Sequence, residues 1–330
     1  MEESPAAVAA RLPTFEGVRA AANRIAPHVT RTPLLPLQWG GVRLWVKAEC
    51  LQEGGSFKLR GATNRLLLLG HAERERGVVA FSSGNHAQGV AIAARRLGIP
   101  ATIVMPADAP AVKRDATLAA GAEIVAYDRA KESREAIAAA LAEARGATLV
   151  PSFDDVDIIE GQGSVGVEIA RQLGQAPDKV LVPCGGGGLS AGIALALAAS
   201  DIVTVEPEGW DDMARSLEAG RPVPVVEPAP STRCDALQTK LVSPLTLGAL
   251  RDARVRGLSV SEAEVDSAIA FAARHLRIVA EPGGVVALAA LLAGKAGAVT
   301  GRTVVVVSGG NVDPALYAGI LATQAAETVR

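Results

Sequence analysis

One lysine stands at a junction where it could act as a nucleophile. Lys58 lies in the segment Gly55–Ala62, between small turn-forming residues and an apolar run that ends at Leu69. A lysine held inside a protein has a lowered pKa, because burial disfavours the ammonium form. The neutral amine can then attack an aldehyde and form a Schiff base. The alternative is a surface lysine at a helix start, the common situation for a single lysine.

Four consecutive glycines form a second candidate site, between an apolar strand and the helix predicted over Ser190–Ala199. Backbone N–H groups approach a phosphate closely only where side chains are absent, and a helix N-terminus adds a positive dipole end. The segment therefore predicts a phosphate cradle, although a tight turn would also need one or two glycines. The four residues are Gly185, Gly186, Gly187 and Gly188.

The same segment also fits a dinucleotide-binding fingerprint. Gly186, Gly188 and Ala191 satisfy the G-x-G-x-x-A pattern, and Glu206 ends the next predicted strand about 20 residues later. A lone glycine fingerprint is a weak signal, however. It also leaves the lysine segment and the two polar loops described next unexplained.

Two polar loops follow predicted strands. Ser82-Ser83-Gly84-Asn85-His86 opens a helix, and Ser308-Gly309-Gly310-Asn311 follows the apolar strand Thr303–Val307. A loop of the first kind presents several N–H groups to an anion. The alternatives are an ordinary helix cap by Ser83, because serine is preferred at that position, and a serine that merely ends a strand.

Together these segments resemble the fold-type II pyridoxal-phosphate enzymes, in the branch of serine/threonine dehydratases and serine racemases. The resemblance runs from about Phe15 to Tyr317, and its strings stand in the family's order and spacing. It implies an α/β fold of two domains, similar to the tryptophan synthase β subunit, each with a mostly parallel sheet flanked by helices. The strings are SFKLRGA, SSGNHAQG, PCGGGGLSAG and VSGGNVD.

The resemblance implies a role for each cofactor-binding residue. Lys58 carries pyridoxal phosphate, Phe57 and the tetraglycine also bind the cofactor, and Asn85 lies near its phenolic oxygen. The Ser308 hydroxyl faces the pyridine nitrogen. A hydroxyl cannot hold that nitrogen as a full pyridinium, as a carboxylate does. The weaker electron sink suits elimination or racemisation better than transamination.

The resemblance also implies where the substrate binds. Ser83 matches the serine proposed as acid/base on the face opposite Lys58. His86 is interpreted as a helix-start residue rather than a catalyst. The residues predicted to bind substrate, chiefly its carboxylate, are Ser82, Ser83, Asn85 and His86.

An arginine is predicted to select dicarboxylic substrates. In the serine racemase branch, an arginine that matches Arg134 reaches a second carboxylate, and the guanidinium fork suits such a contact. The alternative is a solvent-facing arginine between Glu132 and Glu135, since charge clusters on helices are usually solvated.

A turn rich in carboxylates suggests a divalent cation. Oxygen ligands suit Mg²⁺, Ca²⁺ or Mn²⁺. Glu206, the carbonyl of Trp210 and Asp212 match the ligands of metal-dependent members of the family. The alternative is a solvated acidic turn that caps the next helix.

The elements that position these residues alternate. From Lys58 to Pro151, short apolar strands alternate with helices, which favours a parallel sheet covered on both faces. We expect a small mobile domain over 52–154, inserted into a large cofactor-binding domain formed by 1–51 and 155–330. One helix is predicted over Gln162–Leu173, and a capped helix over Glu262–His275.

Composition narrows the classes of partner. The net charge is −2 and aromatic residues make up 3% of 330 residues, so neither a basic surface nor base-stacking platforms point to nucleic acid. No apolar run is long enough to span a membrane. The three scattered cysteines show no metal or disulfide spacing, which suits the reducing cytosol. We expect a cytoplasmic homodimer that acts on a small amino acid.

The predicted reaction is loss of water and then ammonia from a small β-hydroxy amino acid of the threonine or serine type, giving a 2-oxo acid. Lys58 would take the α-proton. Return of the proton by Ser83 would instead make a racemase, and 3-hydroxyaspartate is an alternative substrate. A non-catalytic binding protein on the same fold is disfavoured by the intact Lys58.

Overall fold

The strands form two separate sheets. The computed structural model describes residues 11–109 and 111–328. The strands are β1 (Leu34–Trp39), β2 (Val42–Ala48), β3 (Val78–Phe81), β4 (Ala101–Pro106), β5 (Glu123–Tyr127), β6 (Thr148–Leu149), β7 (Lys179–Pro183), β8 (Asp201–Pro207), β9 (Arg256–Val260) and β10 (Thr303–Val307). The larger sheet has the order β1-β2-β10-β7-β8-β9, and the smaller has the order β5-β4-β3-β6.

The pairing is parallel except at one edge of the larger sheet. There, β1 pairs with β2 in antiparallel register, and Pro36 lies within this edge strand. A proline has no N–H for the ladder, so an edge strand tolerates it. All other pairs in both sheets are parallel. The predicted α/β class with mostly parallel sheets is confirmed.

Helices connect and cover the strands. They are α1 (Phe15–Ile25), α2 (Lys58–Leu67), α3 (His71–Arg76), α4 (Asn85–Leu97), α5 (Ala111–Ala119), α6 (Arg134–Arg145), α7 (Val156–Gln162), α8 (Ser164–Leu173), α9 (Gly188–Ala196), α10 (Asp212–Ala219), α11 (Pro244–Asp252), α12 (Glu262–Phe271), α13 (Val286–Leu292) and α14 (Pro314–Thr328). Within the described ranges, no helix is long and apolar enough to cross a membrane.

Each sheet packs into its own apolar interior. Leu66, Val90 and Ile103 belong to a core around the smaller sheet, whereas Val46 and Val305 belong to a core on the larger one. The inserted small domain and its boundaries at 52 and 154 stay a prediction.

Two predicted helices differ from those observed. The helix expected over Gln162–Leu173 is two helices, α7 and α8, which meet at Gly163. A Cβ at Gly163 would lie 2.7 Å from the carbonyl oxygen of Gly192, so α9 packs directly on the junction. The capping box at Ser261 is confirmed, but α12 ends at Phe271 and continues as a wider π-helical turn to Leu276. Helix α11 and strand β9 were not predicted.

A buried cluster of charges joins α2 to the larger sheet. Arg60, on α2, donates from Nε to Glu49 Oε2 (2.7 Å) and from Nη1 to Glu168 Oε1 (2.7 Å). Lys47, on β2, donates to Glu168 Oε2 (2.6 Å). The side chains of Lys47, Glu49 and Arg60 have no exposed surface. Two cations and two carboxylates therefore neutralise one another inside the protein, which is the condition for burying them.

Removing one charge from this cluster should destabilise the protein strongly. Arg60→Met leaves two carboxylates without their main partner, and breaking a buried pair costs about 3–5 kcal/mol. Urea unfolding followed by circular dichroism measures the loss. As a control, Arg145→Met breaks a half-exposed pair with Glu123 and should cost about 0–1 kcal/mol. Equal losses in the two variants would show that the buried cluster contributes no more to the free energy of unfolding than an exposed ion pair does.

Candidate active site

Loops at the carboxyl ends of parallel strands bound one cavity of about 880 Å³. Ser308 follows β10 and the tetraglycine follows β7, and these strands are neighbours in the larger sheet. The loop that opens α4 follows β3 of the smaller sheet. Ligands of α/β proteins bind at such strand ends. The predicted residues that line the cavity are Phe57, Lys58, Ser82, Ser83, Asn85, His86, Arg134, Gly185, Gly186, Gly187, Gly188 and Ser308.

Lys58 is the first residue of α2, and its amine faces the cavity. Nζ donates a hydrogen bond to the carbonyl oxygen of Ser152 (2.9 Å) and lies 5.2 Å from the ring centroid of Phe57. Burial lowers the pKa of the Lys58 amine to about 8. A larger fraction of neutral amine is therefore present near neutral pH than in an ordinary lysine, as Schiff-base chemistry requires.

Main-chain contacts tie the lysine segment to the end of β10. The N–H of Phe57 donates to the carbonyl oxygen of Ser308 (3.2 Å), and Ser56 forms an isolated bridge with Gly309. These main-chain contacts hold the segment that carries Lys58 against the segment that carries Ser308, although 250 residues separate the two in the chain.

Close packing disfavours a side chain at the glycines of the cradle, most strongly at Gly186 and Gly187. A Cβ at Gly186 would lie 2.2 Å from the Phe153 ring, and one at Gly187 would lie 2.5 Å from Met213 Cε. Gly187 also has φ +87°, which L side chains rarely adopt. A Cβ at Gly185 or Gly188 would approach another heavy atom to 3.1 Å. A simple turn would not need this, whereas a side-chain-free helix start suits a phosphate.

Glu206 does not face the cavity, which disfavours the dinucleotide-binding alternative. Its two carboxylate oxygens accept hydrogen bonds from the N–H groups of Met213 (3.0 Å) and Ala214 (2.8 Å). A ribose-binding carboxylate would have to reach the ligand from the end of its strand.

Asn85 is oriented by two partners. Its Nδ2 donates to Glu281 Oε1 (2.6 Å), and its Oδ1 accepts from Asn311 Nδ2 (2.8 Å). An amide nitrogen carries two hydrogens, so one remains for a ligand. Burial, and then the charge of Asp235, raise the pKa of Glu281 to about 7. Sequence reasoning missed Glu281, whose only local signal is the Pro-Gly-Gly turn that follows it.

The serine loop is not an ordinary helix cap. The residue that caps α4 is Gly84, without a side-chain hydrogen bond, so the alternative role of Ser83 as the cap is wrong. Ser82 Oγ accepts from the N–H of Gly84 (3.2 Å). Ser83 lines the cavity on the same loop.

Arg134 lies at the rim of the cavity. It is the first residue of α6, after the helix cap Ser133, and its side chain is 45% exposed. Nε donates to Glu135 Oε1 (2.8 Å), and the guanidinium lies 5.5 Å from the Phe81 ring centroid. A residue in this position is both solvated and within the cavity wall.

The acidic turn is buried, so the solvated alternative is wrong for its two key carboxylates. Glu206 and Asp212 have no exposed surface. Both oxygens of Asp212 are without a hydrogen-bond partner among the residues described. Burial raises the pKa of Asp212 to about 7, and burial together with the charge of Asp212 raises that of Glu206. The residues described contain no group of three or more His, Cys, Asp or Glu side chains suited to a metal.

These residues nevertheless fit a cation. An unpartnered buried carboxylate is costly, and a bound cation would remove that cost. Two carboxylates and the main-chain carbonyl of Trp210 offer only oxygen ligands, which Mg²⁺ and Ca²⁺ prefer. Glu206 and Asp212 do not line the cavity. They lie at the end of β8 and the start of α10.

One protein family matches most of the chain. The family model described as pyridoxal-phosphate dependent enzyme matches residues 25–310. The chain belongs to this family, and the cofactor implied by the lysine and the cradle is pyridoxal phosphate.

Several members of the family match this chain over nearly their whole length. The L-threo-3-hydroxyaspartate ammonia-lyase of a Pseudomonas species is 42% identical, over 94% of this chain and 99% of its own. The serine racemase of Schizosaccharomyces pombe is 37% identical, over 94% of this chain and 98% of its own. The solved structure of maize serine racemase is 33% identical and superimposes with a TM-score of 0.88, covering 97% of this chain and all of its own.

The lowered pKa of Lys58 predicts how its amine reacts in the cofactor-free protein. Only the neutral amine is acylated, so labelling of Lys58 should rise with pH to half its maximal rate near pH 8. Peptide mass spectrometry after brief acylation across a pH series measures this. Nα-acetyl-lysine, with a pKa of about 10.4, is the reference. Coincident profiles would mean that burial does not tune the amine.

Proposed function

We propose that this protein is a pyridoxal-phosphate-dependent ammonia-lyase that converts a small β-hydroxy amino acid to a 2-oxo acid and ammonia. The observation that carries the proposal is the convergence of Lys58, the tetraglycine and Ser308 on one cavity. The water lost from the substrate is regained when the released enamine product hydrolyses, so the net change is release of ammonia.

The cofactor would be held by groups on both sheets. When bound, pyridoxal phosphate supplies an aldehyde for the amine and a conjugated ring that delocalises the electron pair left at Cα. The tetraglycine would bind its phosphate, the remaining hydrogen of the Asn85 amide would be available to its phenolic oxygen, and the Ser308 hydroxyl would bond its ring nitrogen. The Phe57 ring forms part of the cavity wall.

Lys58 acts as the base once the substrate amine has replaced it. An amine with a pKa of about 8 is close to the operating pH, which is the best condition for proton transfer. The carbonyl of Ser152 orients its nitrogen at 2.9 Å. The electron pair left at Cα then expels the β-hydroxyl, which leaves as water with the proton that Lys58 took from Cα.

The substrate carboxylate binds at the start of α4, where Ser82, Ser83 and the first N–H groups of the helix surround it, near Asn85 and His86. For a dicarboxylic substrate, Arg134 binds the second carboxylate. The position of Arg134 in the cavity wall supports this, as do two relatives named L-threo-3-hydroxyaspartate ammonia-lyase. We therefore propose 3-hydroxyaspartate as a substrate alongside serine and threonine.

An assay of ammonia and 2-oxo acid release from a panel of hydroxy amino acids tests the function. Lys58→Ala should abolish turnover of every substrate. Arg134→Ala should weaken kcat/KM for 3-hydroxyaspartate tenfold to a hundredfold more than for serine, because a charge-assisted contact is worth about 1.5–3 kcal/mol.

Arg145→Ala, at the other end of α6, is the matched control and should leave the ratio unchanged. An equal loss for all substrates, or none, would remove Arg134 from substrate selection. No release from any member of the panel would contradict the ammonia-lyase assignment.

Amino-acid racemisation is a second candidate. Ser83 lines the same cavity as Lys58, and relatives from fission yeast and plants are named serine racemase. Proton return by Ser83 to the opposite face of Cα would invert the substrate. Chiral analysis of the amino acid that remains after partial turnover distinguishes the two reactions.

We also propose that Glu206, the carbonyl of Trp210 and Asp212 bind Mg²⁺, Ca²⁺ or Mn²⁺. Chelator should lower the Tm and any of these ions should restore it, because the ion neutralises two buried carboxylates. Asp212→Asn should remove the response, whereas Asp211→Asn, at a partly exposed neighbour, should keep it. An unchanged Tm, with no metal in the purified protein, would exclude the site.

The homodimer and the cytosolic location stay predictions. The three cysteines are buried free thiols, which is compatible with a reducing compartment.

A further inference from the structure

The ring of His86 is buried where three elements of the cavity wall meet. His86 lies in the first turn of α4, lines the cavity and is 3% exposed. Its Nε2 lies 2.9 Å from the carbonyl oxygen of Val150. Three residues later on the same helix, a Cβ at Gly89 would lie 3.0 Å from the main-chain carbon of Lys58. Helix α4 therefore packs closely against the first turn of α2.

The contacts determine the state of the ring. A carbonyl oxygen only accepts, so Nε2 must carry the hydrogen. Nδ1 is buried and has no hydrogen-bond partner among the residues described. A proton there would be left without an acceptor, so the ring stays neutral. Burial, and then the charge of Lys58, lower the pKa of His86 to about 3, in agreement with this state.

The carbonyl held by His86 is close in the chain to the one that holds Lys58. Val150 accepts from the imidazole, and Ser152, two residues on, accepts from Lys58 Nζ (2.9 Å). This stretch follows the two-residue strand β6 at the edge of the smaller sheet. The N–H of Val150 donates to the carbonyl oxygen of Val79 in β3 (2.8 Å), and the imidazole holds the carbonyl of the same residue.

We propose that His86 is a positioning residue for Lys58: its Nε2–H fixes the Val150–Ser152 segment, whose Ser152 carbonyl orients the lysine amine. The neutral ring does this without placing a second positive charge beside the amine. This assigns the His86 side chain to the lysine rather than to the substrate, and it rests on the proposed role of Lys58 as the Schiff-base residue.

Three substitutions separate the two nitrogens of the ring. His86→Gln keeps an N–H donor at the Nε2 position, His86→Asn keeps a polar atom only at the Nδ1 position, and His86→Leu keeps neither. Cofactor-free protein is mixed with pyridoxal phosphate at one pH, the Schiff base is reduced with borohydride at timed intervals, and labelled Lys58 is quantified by peptide mapping. His71→Leu, at an exposed histidine, is the control.

The Asn and Leu variants should label Lys58 about tenfold more slowly, the factor that corresponds to ~1.4 kcal/mol, while the Gln variant should stay within about threefold of the wild type. Unchanged rates in all three would overturn the proposal, as would rescue by Asn instead of Gln or an equal loss in all three. If the Leu variant does not fold, the Gln and Asn pair decides. Wild-type protein labelled elsewhere than Lys58 would instead overturn the assignment of that lysine, and the proposal with it.

Discussion

The buried charge cluster around Arg60 is the constraint on which the arrangement of the cavity depends. Arg60 lies two residues after Lys58 on α2, and its guanidinium is held by Glu49, which directly follows β2, and by Glu168 of α8. The apolar face of the same helix packs into the core of the smaller sheet through Leu59 and Leu66. Buried ion pairs often add little net stability compared with apolar replacements. Their directional contacts nevertheless specify one position for the helix that carries the lysine.

With α2 fixed in this way, the two sheets supply different parts of one site. The larger sheet presents Ser308 and the tetraglycine at the ends of adjacent strands. The smaller sheet presents the serine loop, which lines the cavity, and the segment after β6, whose Ser152 carbonyl accepts a hydrogen bond from Lys58. Lys58 lies between them, tied to β10 by the N–H of Phe57 and to the smaller sheet by the carbonyl of Ser152.

Outside the charge cluster, burial has one electrostatic consequence near the cavity and the acidic turn: it favours the neutral form of titratable groups that lack an opposite charge. It lowers the pKa of Lys58 and His86 and raises that of Glu281 and Asp212. The physical cause is shared, because water no longer solvates the charged form. For Lys58 the result is an amine with a pKa of about 8, which suits its proposed role as a base. For Asp212 it is an acid that only a cation would ionise without cost. The proposed reaction and the proposed metal site thus depend on the same property of the interior.

The sequence by itself determined the α/β class and the motifs that face the cavity. Strand ends, helix starts and glycines at close approaches are set by backbone preferences over a few residues, so Lys58, the tetraglycine and Ser308 are recognisable locally. Tertiary structure alone decided their partners. Lys58 meets Ser152, 94 residues away, and Asn85 meets Glu281, 196 residues away. The break between α7 and α8 likewise depends on the packing of α9 at Gly163. Such contacts follow from the order of strands within each sheet, and that order is set by packing between distant segments, which local preference does not encode.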